Sequence, residues 1–391
     1  MDREASSVLR DLLLGKGCHA TTSNQIGPRS TPVETGRRDR IIEPDPPDRT
    51  RDDDSDHNAC MIDHLNASSG PPRPACPALR TGLGHLSHLL VIILLTMPFG
   101  CRTTPSGPPA PVPPETLPMF LGDGTPTDWS ELVARARAAE IVVIGEEHDD
   151  RNTHALQRAL YAAMLDTDET TAVSLEMFER DEQATVDAWL AGDIDTETLV
   201  ADTNSIDWGG EGAWYVYYQP VIDLARNAGA PVIAANAPRR YVRRARPEGY
   251  DVLRALPAEE RAWFDLPVEL DRGPYYQRFA ETMRELRKND ELDDDAIDAV
   301  FRSQQVWDAT MAASVVDGLD QPGTDRVVHL IGRFHSDLEG GTIVEIRKRR
   351  PDSEILVVSW VRASSPVSGL DAEDLGRGDV VVYTPEYPGA E

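Results

Sequence analysis

Five short runs of β-branched and other apolar residues, each closed by a polar turn, constrain this chain more than any other feature. They are Ile141-Val142-Val143-Ile144, Ala172-Val173-Ser174-Leu175, Val232-Ile233-Ala234-Ala235, Val327-Val328-His329-Leu330-Ile331 and Ile355-Leu356-Val357-Val358. Near-continuous apolar runs of this length predict strands covered on both faces, the situation of a parallel sheet. Helical spacing fills the intervals at 129–139, 152–165, 218–227 and 341–350, with Thr127 as the cap of the first helix and Glu131 near the reciprocal site. The alternation predicts an α/β fold with a mainly parallel central sheet flanked by helices. Val380-Val381-Val382 reads as a further strand at an edge. Residues 239–316 are mostly helical in pattern and read as an insertion or cap within a domain at 126–384.

The N-terminal part is different in kind. Residues 1–80 repeat Pro, Asp, Arg, Ser and Thr (EPDPPDRTRDDDSD) without an apolar period. Such a stretch buries too little apolar surface to offset its ordering entropy, so it reads as disordered, or as untranslated sequence ahead of a start at Met61. Residues 81–101 carry the parts of an export signal: a basic flank at Arg80, an apolar run at 89–95 too short for a comfortable span, and Gly100 before Cys101. The Gly100-Cys101 junction resembles a bacterial lipobox, with Pro98 where Leu is usual, and makes Cys101 the expected lipidation site. A plain secretory signal or a short anchor helix is the alternative. Residues 102–125 begin with a Pro-rich stretch and read as a tether, giving an exported domain lipid-anchored in the cell envelope.

The four cysteines are Cys18, Cys60, Cys76 and Cys101, so the domain beyond them has no disulfide, thiolate metal site or cysteine nucleophile. A metal there must be held by His, Asp, Glu or Tyr. With 39 Lys and Arg against 67 Asp and Glu, the net charge of −28 argues against nucleic acid and against adhesion to anionic lipid by charge.

The polar residues fall in a pattern. The first strand ends in Gly145-Glu146-Glu147-His148, the second in Glu176, the third in Asn236 before Pro238-Arg239, and the fourth in Gly332-Arg333-Phe334-His335. Ligands of parallel sheets sit beyond the carboxyl ends of the strands, which is where these side chains are delivered. Gly145 and Gly332 would let the chain turn sharply or approach a ligand closely, and His148 and His335 would then point back over the edge. Glu176 ends a buried strand, where a carboxylate needs neutralising by Arg239 or a metal. Of the adjacent Glu146 and Glu147, one faces the pocket and one caps the next helix; Glu147 is assigned to the pocket. His329 reads as a satisfied core histidine, His154 stands near enough to reach the pocket, and Arg333 suits an ion pair equally well. Gln304, Gln305, Trp307, Asp308 and Met311 belong to either an amphipathic core helix or a lid. Tyr215, Tyr217, Tyr218, Tyr241, Tyr250, Tyr275 and Tyr276 read mostly as packing residues.

The segments IVVIGEEHDDRNTHALQRAL, VSLEMFERDEQATVDAWLAG, AANAPRRYVR, SQQVWDATMA and HLIGRFHSDLEGGT together resemble the ChaN-like haem-binding lipoproteins of the Tiki/EreA-type superfamily, over about residues 130–362. The resemblance carries the two Gly-x-x-His motifs onto Gly145, His148, Gly332 and His335, the paired glutamates onto Glu147 and Glu176, and the arginine onto Arg239. Asp150-Arg151-Asn152-Thr153 departs from the family's Asn-Pro stretch and paired histidines, leaving only His154 there. Two functions are implied. One is haem binding at the outer membrane in iron acquisition, with a tyrosine ligand and dimers that hold haem between them. The other is hydrolysis, by peptidases or esterases. For the latter, His148, His335 and Glu176 would hold a divalent metal such as Zn or Mn with an open water position, and Glu147 would act as base. Without metal, His148 itself would be the general base.

Overall fold

The computed structural model describes residues 111–203, 205–210, 212–286 and 293–385. The stretch read as disordered, the export segment and Cys101 lie outside the described residues.

Eight strands form one sheet: β1 (Met119–Leu121), β2 (Pro126–Thr127), β3 (Ile141–Glu146), β4 (Thr171–Glu179), β5 (Val232–Asn236), β6 (Arg326–Gly332), β7 (Ile355–Ala363) and β8 (Val380–Pro385). Their spatial order is β2-β1-β8-β7-β3-β6-β4-β5. From β8 to β5 every neighbour is parallel, while β1 runs antiparallel to both β8 and β2. The helices are α1 (Trp129–Ala138), α2 (Arg151–Leu165), α3 (Gln183–Ala191), α4 (Thr196–Asp202), α5 (Ala213–Tyr217), α6 (Gln219–Ala228), α7 (Arg239–Glu248), α8 (Tyr250–Arg254), α9 (Ala258–Arg261), α10 (Pro274–Leu286), α11 (Asp294–Leu319) and α12 (Gly341–Arg349).

Strand alternation sorts the core into two layers. Val142, Ile144, Val173, Leu175, Val328 and Leu330 pack on one face against Leu132 of α1, Leu156 and Leu160 of α2, and Val221 and Ile222 of α6. Ile141, Val143, Val327 and Ile331 pack on the other against Met311 and Val315 of α11 and Ile343 and Ile346 of α12. The consequence for function is topological. β3 and β6 are neighbours, yet the helix after β3 lies on one face and the helix after β6 on the other. Their chains part at the carboxyl edge and leave a crevice, the place where open α/β sheets bind ligands.

Four details differ from the sequence reading. The cap of α1 is Asp128, whose side chain accepts from the Glu131 N–H, because the helix starts one residue later than Thr127 would require. The tether does not reach 125: Leu117, Met119 and Phe120 are buried, since β1 adds to the sheet beside β8. For the same reason β8 is not an edge strand. Finally, α11 is only in part a cap element. Its C-terminal half lies on the sheet through Met311, Ala312 and Val315, while its N-terminal half joins α7 to α10 in smaller clusters, with Val306 beside Tyr241 and Phe264, and Ile297, Val300 and Phe301 beside Phe279. Among the described residues no helix is long and apolar enough to cross a membrane.

Candidate functional site

The first turn is organised by Glu146, not by its neighbour. Glu146 is fully buried on the α2 side of β3, and its Oε1 lies 2.8 Å from His148 Nδ1 and accepts from the Tyr218 hydroxyl at 2.6 Å. Oε2 accepts from Gln157, whose own amide oxygen lies 3.0 Å from His154 Nδ1. His154 Nε2 approaches the His148 carbonyl at 3.1 Å, and its ring stacks on Tyr217 with centroids 4.1 Å apart. Burial alone would push the Glu146 carboxyl up; the charges of His154 and His148 and the bonds from His148 and Gln157 hold it down at about 2. A buried anion therefore fixes the His148 ring, whose other flank meets Trp208 edge-on at 5.0 Å.

The second turn repeats the device on the opposite face. His335 is buried, and its Nδ1 lies 2.7 Å from Oδ1 of Asp308, which α11 brings over the sheet. The same Oδ1 accepts from the Thr342 hydroxyl at 2.9 Å, and the Gln304 amide lies 3.2 Å from the imidazole nitrogens. His335 Nε2 stands 3.7 Å from Glu176 Oε1. Burial pulls the His335 pKa down, but the carboxylates of Asp308 and Glu176 outweigh it and leave the pKa raised. The Glu176 carboxylate is itself held by the Gly332 N–H at 2.6 Å.

The glycines are where the two turns touch. A Cβ on Gly332 would stand 3.2 Å from His148 Nε2 and 3.5 Å from Glu176 Oε2, which puts the first histidine over the second turn. A Cβ on Gly145 would stand 2.5 Å from Ser336 Oγ and 3.0 Å from the Arg333 Cα. Gly145→Ala therefore forces backbone apart and should cost about 1–3 kcal/mol in urea unfolding. An unchanged midpoint would show that the turns are not pressed together.

A family model described as haem-binding uptake, Tiki superfamily, ChaN matches residues 132–346, more than half of the chain. The chain belongs to the ChaN family of the Tiki superfamily. A solved structure of cofacial haem binding to ChaN of Campylobacter jejuni matches with a TM-score of 0.51 at 17% identity, covering 68% of this chain and 96% of that one. The type III effector HopBA1 gives 0.42 at 12% identity over 70% and 99% of the two chains. The erythromycin esterase EreC, as a His-to-Asn mutant in its open conformation, gives 0.34 at 12% identity over 65% and 78%. A comparison with curated protein sequences gives no match.

In this ChaN-family domain the residues singled out from sequence do not all share one place. His148, Glu176 and His335, with Gly145 and Gly332, converge at the β3–β6 crevice. Glu147 does not face it: strand alternation turns Glu147 away from Glu146, into ion pairs with Arg333 at 3.0 Å and Arg362 at 2.8 Å. Burial raises its pKa against the pull of those two arginines. Arg333 is correspondingly part of a buried ion network with Glu147 and Asp337. Arg239 does not neutralise Glu176. It sits at the rim with its guanidinium 5.5 Å over the Trp208 ring and 3.8 Å from Glu179.

Among the described residues no group of three His, Cys, Asp or Glu side chains is placed to hold an ion. Asp308 engages His335 Nδ1, which leaves Nε2 toward Glu176. His329 lies in the core with Nδ1 3.0 Å from Ser174 Oγ, and burial drives its pKa to about 3. Asn236 braces the site by donating to the Glu176 carbonyl at 3.0 Å. The residues missing from the sequence-derived set were Glu146, Asp308, Tyr218 and Trp208. Asp308 had a signal, the polar Gln304–Asp308 pair one turn apart on the helix.

Proposed function

We propose that this chain is a haem-binding protein of the cell envelope that takes the haem iron through Tyr215. The supporting observation is exposure. Among the described residues Tyr215 is the exposed tyrosine, 46% accessible, on a ledge with Ile206 and Val216 at 39% and 63%. Ferric haem accepts a phenolate as axial ligand and offers a flat apolar face, so an accessible phenol on an apolar ledge fits both demands. Six of the other described tyrosines are poorly suited. Burial pushes the phenols of Tyr161, Tyr217, Tyr250, Tyr275, Tyr276 and Tyr383 upward, against forming the phenolate. Tyr217 of the same short helix stacks on His154, so the helix itself borders the first histidine turn. Arg239, partly exposed over Trp208, supplies a cation for a propionate. Haemin added to the full chain in detergent should give a saturable Soret shift; a linear, unsaturable change would remove this reading.

A second reading has an observation of its own. Each histidine has a carboxylate on Nδ1, the arrangement that orients an imidazole for proton transfer. Metal-free hydrolysis with His148 as base follows from that pairing, with His335, its pKa raised, as the proton donor. His148→Ala and His335→Ala should each lower turnover in an ester-hydrolysis screen at least about a hundredfold; variants that match the parent protein would exclude it.

Envelope anchoring through Cys101 rests on the export segment. Cys101→Ser should move the protein from the membrane fraction to the soluble one on cell fractionation. Unchanged partitioning would rule out the anchor.

A further inference from the structure

The start of α10, the middle of α11 and one face of α12 enclose a cavity of about 240 Å³. Pro267, Pro274, Tyr275 and Val344 make most of its wall apolar. The carboxylates around it already have partners. Glu345 is held by Lys348 at 2.9 Å and Arg349 at 2.7 Å, Glu339 by Arg347 at 3.0 Å, and Asp271 by the Gly273 N–H at 2.9 Å. Asp308 pairs with His335, takes a hydrogen bond from Tyr275 and is closed against the bare backbone of Gly341. These groups leave no unmatched charge for a ligand to meet.

Gln305 is different. It borders the cavity and is only 7% exposed, so its amide is held in place by its surroundings. Oε1 accepts from the Asp271 N–H and from the Tyr250 hydroxyl, both at 3.3 Å. A backbone N–H can only donate, so this end of the amide is the oxygen and the other end is the NH2. Among the described residues Nε2 makes no hydrogen bond, yet unlike the amide oxygen of the neighbouring Gln304 it is not sealed from solvent. A fixed, reachable and unused N–H donor in an apolar enclosure selects a molecule that brings an acceptor.

We propose that this cavity is a second ligand site, for a small uncharged ring compound with a carbonyl oxygen, which accepts from Gln305 Nε2 while the ring lies between Pro274, Tyr275 and Val344. The volume suits a ligand of one ring. The carboxylates along the wall disfavour an anion, and the amide donor disfavours an ammonium, so a neutral acceptor is the class that fits. The site is separate from the Tyr215 ledge, and binding there does not depend on haem.

Cyclohexanone is the probe, with cyclohexylamine as the counterpart that brings a charged donor in place of the acceptor. Each is titrated by calorimetry into the full chain in detergent, with detergent alone as the blank. Cyclohexanone should bind saturably with a millimolar Kd, and cyclohexylamine at least about tenfold more weakly. Gln305→Glu keeps the oxygen that serves Asp271 and replaces the NH2 with a second acceptor, so it should reverse that order of preference. Should Gln305→Glu not fold, Val344→Phe, which fills the cavity from the α12 side and touches none of the polar groups, should abolish cyclohexanone binding. The proposal is overturned by absent or non-saturating heats, by a parent protein that binds the amine as well as the ketone, or by a folded variant that binds cyclohexanone as the parent does.

Discussion

Asp308→Ala is expected to lower unfolding free energy by about 3–5 kcal/mol, the cost of leaving one member of a buried, hydrogen-bonded ion pair alone. Both partners are buried and only 2.7 Å apart, so neither charge is screened by water when the other is removed. The residue also holds Thr342 at the first turn of α12, so its loss loosens the seam between α11 and the sheet edge. The pH dependence separates the charge from the packing. The folded pKa of His335 is raised, so its contribution is fully present below the unfolded value of 6.5 and is lost as pH rises through the folded value. Urea unfolding of the parent protein should therefore weaken on going from slightly acid to alkaline pH, and Asp308→Asn should flatten that slope. An Asp308→Asn profile parallel to the parent would mean that the pair does not carry it.

The second large effect is at Glu146. Its folded pKa of about 2 against an ordinary 4.5 is worth about 3 kcal/mol, present above the ordinary value and lost as pH falls through about 2. Glu146→Gln should remove this term, so that the variant is less stable at neutral pH yet loses less on acidification. It should also release His148, which would then lose its fixed tautomer and be read by NMR as a freely titrating ring. Chemical shifts and a titration midpoint identical to the parent protein's would refute the role given to Glu146. Glu147→Gln provides the contrast: it breaks pairs with Arg333 and Arg362 but touches neither histidine, so the His148 spectrum should persist.

The difference between these two glutamates shows where sequence reasoning stopped. Strand positions were legible because parallel strands buried on both faces leave an unmistakable run of Val and Ile. The turns were legible because Gly145 and Gly332 directly follow those runs. The side of the sheet taken by each polar residue at the strand end was not, since two consecutive glutamates alternate and either register suits the pattern. Asp308 was visible as a polar residue on a helix, but its partner lies 27 residues on, and only the packing of α11 on the sheet joins them. Leu117, Met119 and Phe120 follow a Pro-rich stretch, and their burial depends on β8, more than 250 residues later in the chain. Tyr215 was one of several candidate tyrosines. Exposure singles it out, and exposure is a property of the finished fold.

Haem binding through Tyr215 is tested most directly by haemin titration of three proteins side by side: the parent, Tyr215→Phe and Tyr217→Phe. Tyr217 is the fitting control, being on the same short helix but half-buried against His154. The parent and Tyr217→Phe should bind saturably, with a phenolate-to-iron charge-transfer band. Tyr215→Phe should bind at least about tenfold more weakly and lose that band. A Tyr215→Phe protein that binds haemin with the parent's affinity and spectrum would contradict the assignment.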